Sequence, residues 1–284
     1  MELRSLPANA VPAGAIVVGV DGSDHSDAAV AWAADQAALD GLPLVLAHAI
    51  STLGTTVTAW SAAESAAEHV ARRHPSVVVH PTTVEGDPRQ VLLDLSRNAT
   101  AIVVGSRGRG PVRSLLLGSV SAATARHASC PVVVVRPHHP GIVRRGVLVG
   151  ADGSPASAPV LEFAFRTASQ RGLPLTVMHC VWDPVAAVGT PFVVASDGSD
   201  VEDARLVLAE SVAGLGERYP DVHVTQQVAR GLPGPCLGQA ADSMDLLVVG
   251  RRQAGVWSRA VDGDVSHDVV EHARTVVAVI PEAP

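Results

Sequence analysis

Gly105-Ser-Arg-Gly108-Arg-Gly-Pro-Val-Arg-Ser-Leu-Leu-Leu-Gly118-Ser119 is the stretch that decides how this chain reads. The apolar run Ala101-Ile-Val-Val104 precedes it and a helical pattern follows. A buried strand therefore ends in a glycine turn that delivers a helix. Glycine at such a turn lets backbone close around a ligand where a Cβ would intrude. A helix beginning at Gly118-Ser119 points its unbonded N–H groups and the positive end of its dipole into the same space. Together these parts make an anion site that needs no lysine. No lysine exists to supply one: all 21 basic residues are arginine. A P-loop lysine and a Schiff-base lysine are both excluded.

The composition bounds the rest. The 284 residues exceed one ordinary core and suit two domains. An apolar share of 47% with 17% charged residues describes a well-buried globular protein. Aromatics are only 3%, which leaves the cores to Val, Leu and Ala and suits parallel sheets under alanine-rich helices. A net charge of −7 argues against a nucleic-acid partner, which demands a basic face. No secretory pattern opens the chain and no apolar run reaches membrane-spanning length, so a cytoplasmic protein without a membrane partner is expected. Cys130, Cys180 and Cys236 are odd in number and lack metal-ligand spacing; they read as small hydrophobes.

The chain repeats itself. Val20-Asp21-Gly22-Ser23 recurs as Ala151-Asp152-Gly153-Ser154, an offset of 131. Val103-Val104-Gly105 recurs as Val248-Val249-Gly250, an offset of 145 that also carries Gly86 to Gly231, Gly118 to Gly263, Val120-Ser121 to Val265-Ser266 and His127-Ala128 to His272-Ala273. A constant offset over that length indicates duplication. The second copy must hold an insertion before Gly231, and Asp183 to Asp200, with its Pro and Gly content, is the expected place.

Each copy alternates β-branched runs with alanine-rich helical segments, the pattern of βαβ units. In the first copy the strands fall at Ala15–Val20, Leu44–Ile50, Val77–Val84, Ala101–Val104 and Val132–Val135. Helices are expected over Ser26–Asp40, Ser61–His74, from Pro88, and over Ser119–His127. The expected architecture is α/β: two tandem Rossmann-like domains, each a five-stranded parallel sheet of order 3-2-1-4-5 flanked by helices. The boundaries are 1–137 and 146–284, with 138–145 as linker; His138 and His139 there read as solvated, not as metal ligands.

In a doubly wound sheet ligands bind beyond the strand ends where the strand order reverses. With the order 3-2-1-4-5, strands one and four meet there, which brings the Asp21 turn beside the glycine turn. Asp21 carries two readings: a turn residue ahead of the first helix, or a carboxylate facing a nucleotide or a bound Mg²⁺. Arg107, Arg109 and Arg113 lie in the glycine loop and either bond phosphates or stand as exposed charges. In the second copy Gly108 becomes Gln253 and Ser119 becomes Asp264, while Gly105 and Gly118 persist as Gly250 and Gly263. A glutamine side chain fills phosphate space, and a carboxylate at the helix start competes with the anion. Arg251 and Arg252 could compensate in part.

The spacing from Gly105 to Gly108 to Gly118-Ser119 resembles the nucleotide signature of the universal stress protein family. The likeness runs from Ala15 to about Ile280, as a tandem two-domain member, strong in the first copy and degraded in the second. The resemblance implies an adenine nucleotide α-hydrolase-like domain, ATP binding in many members, and pairing of domains through the last strand. Asp21 would lie near the metal–phosphate region and Ala49, after His48, would lend backbone groups to adenine; His48 itself reads as a packed core histidine. Gly105, Arg107, Gly108, Gly118, Ser119 and Val120 would surround the phosphates. Asp152, Cys180, Gly250, Gly263 and Val265 would form a weak second site. Val132–Val135 and Thr275–Ile280 suit antiparallel pairing of the two domains, and a homodimer and an unidentified protein partner are further expectations. The implied function is an ATP-binding (or ADP- or AMP-binding) regulatory protein of the stress response, with Mg²⁺ as a possible companion and at most slow hydrolysis. No water-activating Glu or Gln accompanies the motif and no nucleophile–base set is visible, so no catalytic residue is assigned. The alternatives are an ATP-using enzyme of the same architecture and a nucleotide-independent partner-binding module.

Overall fold

Aliphatic and β-branched runs make the strands, and burial on both faces selects parallel sheets covered by helices. The computed structural model describes residues 11–50, 56–108, 117–136, 144–181, 193–194, 198–251 and 265–282. The chain divides into two units, Met1–Pro137 and His138–Pro284.

The first unit carries β1 (Ile16–Gly19), α1 (Asp24–Asp40), β2 (Leu44–Ile50), α2 (Thr56–Arg73), β3 (Val79–Glu85), α3 (Pro88–Leu95), β4 (Ala101–Gly105), α4 (Ser119–His127) and β5 (Val132–Val135). Its strands run β3-β2-β1-β4-β5, every pair parallel. Ile16, Val17, Val18, Ile102 and Val103 are wholly buried at the centre. The first helix starts at Asp24, two residues ahead of the expected Ser26, because Ser23 caps it. The extended Ser23 accepts a hydrogen bond from the Ser26 N–H, and the Ser26 hydroxyl returns one to the Ser23 carbonyl at 2.9 Å. The helix ends where Gly41 turns left-handed at φ 65°. Asp87 caps α3 by accepting from the Arg89 N–H at 2.8 Å, with Pro88 at the first helical position. α2 reaches back to Thr56, beyond the expected Ser61.

The second unit repeats the plan with β6 (Val147–Gly150), α5 (Ala158–Arg171), β7 (Leu175–Val181), β8 (Val193–Val194), α6 (Ser199–Arg218), β9 (Val224–Arg230), α7 (Pro233–Ala240), β10 (Leu246–Arg251), α8 (Val265–His272) and β11 (Val276–Pro281). Its strands run β8-β9-β7-β6-β10-β11, parallel except for the short β8. A 3₁₀ turn at Pro155–Ser157 precedes α5. Leu44 opening β2 and Leu175 opening β7 keep the offset of 131, whereas Val79 and Val224 opening β3 and β9 stand 145 apart. The insertion therefore enters between β7 and β9; most of its expected span, Asp183 to Asp200, lies outside the described residues. Of the expected linker, Arg144 already belongs to the second unit. Its guanidinium donates to the Met244 carbonyl and the Thr275 hydroxyl, each at 2.8 Å. His138 and His139 lie outside the described residues.

Two glycines separate backbone strain from packing. A Cβ on Gly41 meets nothing within 4 Å, so its cost is the left-handed φ alone. Gly41→Ala should destabilise by about 1 kcal/mol. Gly214, exposed inside α6 with open space around it, should gain about 0.5–1 kcal/mol on conversion to Ala. Urea unfolding of both variants checks the pair, and equal shifts in one direction contradict the assignment of the two helix positions.

Candidate functional site

β1 and β4 lie side by side, with Ile16 opposite Ala101 and Val18 opposite Val103. β2 and β3 continue to one side and β5 to the other, so the strand order reverses between β1 and β4. The crevice of a doubly wound sheet opens there. Two loops meet at its carboxyl edge: Val20 to Ser23 after β1, and the glycine turn after β4.

Among the described residues, three hydrogen bonds anchor the backbone of the glycine turn. The Ser106 N–H donates to the Val135 carbonyl at 2.8 Å, the Gly118 N–H to the Ser106 carbonyl at 2.8 Å, and the buried Ser121 hydroxyl to the Gly105 carbonyl at 2.6 Å. The loop is thus closed at its base, and α4 starts at a fixed place and angle. Gly118 is the extended cap of α4 and, as glycine, offers the helix start no capping side chain. The first-turn N–H groups of Ser119, Val120 and Ser121 have no intrahelical partner. No acidic residue stands in that turn, and Arg126 and His127 stand in the last. This polarity leaves the dipole uncompensated at its positive end. The expected role of Gly118 changes: its own N–H is spent on Ser106, so the amides that face outward are those that follow it.

The role of Gly105 changes as well. A Cβ there would stand 2.5 Å from the carbonyl oxygen of His25, on the first turn of α1. The glycine admits the protein's own helix. Gly108 is different, since a Cβ would run into Asp21 Oδ2, the end of a side chain. Asp21 therefore spans both readings. Its Oδ1 accepts from the Ser23 N–H at 3.0 Å and the Ser23 hydroxyl at 2.6 Å, which makes the turn, while Oδ2 lies against the glycine loop. Gly22 supplies the left-handed φ of 75° that the turn needs. Among the described residues no group of three or more His, Cys, Asp or Glu side chains converges to cage a metal. Asp21 could share Mg²⁺ only with phosphate oxygens or water, as that ion ordinarily permits.

His48, on β2, bonds through Nδ1 to the Val20 carbonyl, and in the second unit His179 does the same to Ala151 at 2.9 Å. Each imidazole holds the acidic turn beside it. Ala49, next along β2, sits opposite Val84 near the strand's carboxyl end. Arg107 is exposed; Arg109 and Arg113 lie outside the described residues.

Three residues not singled out from the sequence join the site. Ser106, almost wholly buried, bonds through its hydroxyl to His25 Nδ1 at 3.1 Å. Burial holds the His25 pKa below its ordinary 6.5, Arg107 pushes the same way and Arg136 adds to it, while Asp24 and Asp21 oppose. Arg136, immediately after β5, is held at about 10 by burial first and then by Arg107. Two guanidiniums and an imidazole thus crowd one corner of the glycine turn. Residues 25 and 136 come from a helix and a strand end far away in the chain, and no local pattern signals them.

In the second unit a cavity of about 220 Å³ opens at the ends of β6, β7 and β10. Asp152, Cys180, Gly250 and Val265 line it with Arg251 and Ser266; Gly263, Arg252, Gln253 and Asp264 lie outside the described residues. Asp152 repeats the Asp21 turn, accepting from the Ser154 N–H at 2.9 Å and the Ser157 hydroxyl at 2.5 Å. The helix start differs. Asp268 stands in the first turn of α8, where a carboxylate neutralises the dipole.

The universal stress protein family model matches residues 13–136 and again 144–281. A universal stress protein of Mycolicibacterium smegmatis is 38% identical over 288 residues, covering 93% of this chain and 96% of that one. One from Mycobacterium tuberculosis is 35% identical over 289 residues, covering 94% and 96%. Among solved structures, a universal stress protein from Archaeoglobus fulgidus shares the fold with a TM-score of 0.68 at 21% identity, covering 95% of this chain and 96% of that one.

Two outcomes follow from this geometry. Gly105→Ala should cost about 1–3 kcal/mol, because rigid backbone must move, whereas Gly118→Ala, whose Cβ would find only ordinary contacts from 3.5 Å, should leave packing unstrained. Equal losses in chemical denaturation contradict this. For His25 the folded chain binds its proton less readily than the unfolded chain. Its contribution is complete above about pH 6.5 and falls as pH drops from there through the lower folded value. His25→Asn should flatten the decline in stability between about pH 7 and 5, and parallel pH profiles for variant and parent contradict it.

Proposed function

Starting from a chain that belongs to the universal stress protein family, we propose that its first unit binds an adenine nucleotide and acts as a regulatory protein of the stress response. The observation that carries this reading is the glycine-capped N-terminus of α4, without acid in its first turn, set by the Ser106–Gly118 and Ser121–Gly105 bonds beside a cationic corner. Arg136 and Arg107 place two positive charges close together beside that helix start, and phosphate is the anion that fits donors of this kind. The nucleotide follows from the family resemblance at Asp21, Ala49, Gly105 and Gly108, with Ser119 and Val120 supplying amides to the phosphates and Arg107 a fork of donors. Asp21 would hold Mg²⁺ when the ion is present, and the ion would supply positive charge against the repulsion between carboxylate and phosphates.

The protein's part is to bind and orient. The cationic corner and the helix dipole hold charge in place, and the His48 bond keeps the Asp21 turn beside the phosphates. ATP, ADP and AMP share these contacts, and turnover, where it occurs, is slow. The second unit contributes at most weak binding through Asp152, Cys180, Gly250, Gly263 and Val265. Asp268, in the first turn of α8, opposes an anion there.

Calorimetric titration of the full chain with ATP and Mg²⁺ tests this. Binding at millimolar concentration or tighter is expected, lost with Gly118→Glu and weakened about tenfold or more with Arg107→Ala. Asp152→Ala should leave the strong phase unchanged. Absence of binding at millimolar nucleotide, or binding indifferent to Gly118→Glu, overturns the proposal.

A further inference from the structure

Read along the sequence, the three cysteines look like isolated small hydrophobes, but the fold brings two of them together. Cys180 stands near the carboxyl end of β7, half-buried, and lines the second unit's cavity. Cys236 stands on α7, whose Pro233 and Leu237 line the same cavity. The Cys236 Sγ lies 3.6 Å from the Arg230 carbonyl of β9, and Cys180 pairs with Ala229, the residue next to Arg230 on that strand, so the two cysteines are neighbours in the fold.

The internal repeat shows what the fold alone requires at these two places. By the offsets of 131 and 145, Cys180 corresponds to Ala49 and Cys236 to Val91. The sites are geometrically equivalent: a Cβ on Gly86 would meet Val91 Cγ2 at 3.4 Å, and one on Gly231 would meet Cys236 Sγ at 2.9 Å. Hydrocarbon therefore serves packing at both positions in the first unit. The second unit replaces both with sulfur at these neighbouring places.

We propose that Cys180 and Cys236 form a reversible disulfide in the wall of this cavity, with hydrogen peroxide as the oxidant. The S–S bond forms as the peroxide O–O bond breaks. The two sulfurs lose two electrons, and their two protons leave with the peroxide oxygens as two waters. Interaction with the Cys236 thiol, and then burial, pushes the Cys180 thiol up, while the same interaction lowers Cys236. One sulfur can thus ionise while its neighbour still holds a proton, and a thiolate is the form that attacks peroxide. A small oxidant enters through the cavity. The cross-link ties the end of β7 to α7 and fixes the wall that Leu237 completes. This inference does not depend on nucleotide binding by the first unit.

Thiol titration and non-reducing peptide mapping of the native full chain, before and after hydrogen peroxide, test it. The three free thiols should fall to one, with a peptide pair joined through Cys180 and Cys236 that dithiothreitol separates. Cys130→Ser should keep the cross-link, and either Cys180→Ser or Cys236→Ser should abolish it. The double variant Cys180→Ala with Cys236→Val, which copies the first unit, should fold normally and lose no thiol to peroxide. Retention of both thiols, links that include Cys130, or sulfinic acid without the cross-link overturns the proposal.

Discussion

The close approach of α1 to the end of β4 is the constraint on which the first unit's site depends. The His25 backbone sits where any side chain at position 105 would have to be. Because that helix packs so near, the turn that feeds it, from Val20 to Ser23, lies directly beside the glycine loop. Asp21 then reaches Gly108, and His25 reaches Ser106. A bulkier residue at 105 would separate the two loops before any ligand arrived. The second unit keeps the constraint in looser form, with a Cβ on Gly250 meeting Val160 at 3.0 Å.

Duplication kept the scaffold and let the chemistry diverge. Both units use an Asp-Gly-Ser turn held by a histidine on the neighbouring strand, through His48 in one and His179 in the other. The charges around that turn then differ. The first unit gathers His25, Arg107 and Arg136 near a helix start free of acid. The second places Asp268 in the corresponding helix turn and Cys180 in its cavity wall, with Cys236 nearby. Packing tolerates such exchanges because Ala49 and Val91 are close in size to the cysteines that replace them.

Much of the fold was legible in the residues themselves. Val-rich runs gave the strands, Gly41 and Pro88 marked where helices stop and start, and the recurrence of Asp-Gly-Ser exposed two copies. Helix starts were less legible: Ser23 bonds across to Ser26, so α1 begins two residues earlier than its alanine pattern suggests. The glycines were legible as necessary but not as to why. Gly105 reads as making room for a ligand, and only the fold shows that a Cβ there would also meet the His25 backbone.

The chain's order alone determined the doubled α/β plan, since periodicity, caps and turn residues act over a few neighbours and can be read there. The meeting of His25, Ser106, Arg107 and Arg136, and of Cys180 with Cys236, was decided only by the tertiary structure. Those contacts arise from strand pairing and helix packing between segments far apart in the chain. Their strength comes from burial, and no residue carries its burial in its own name.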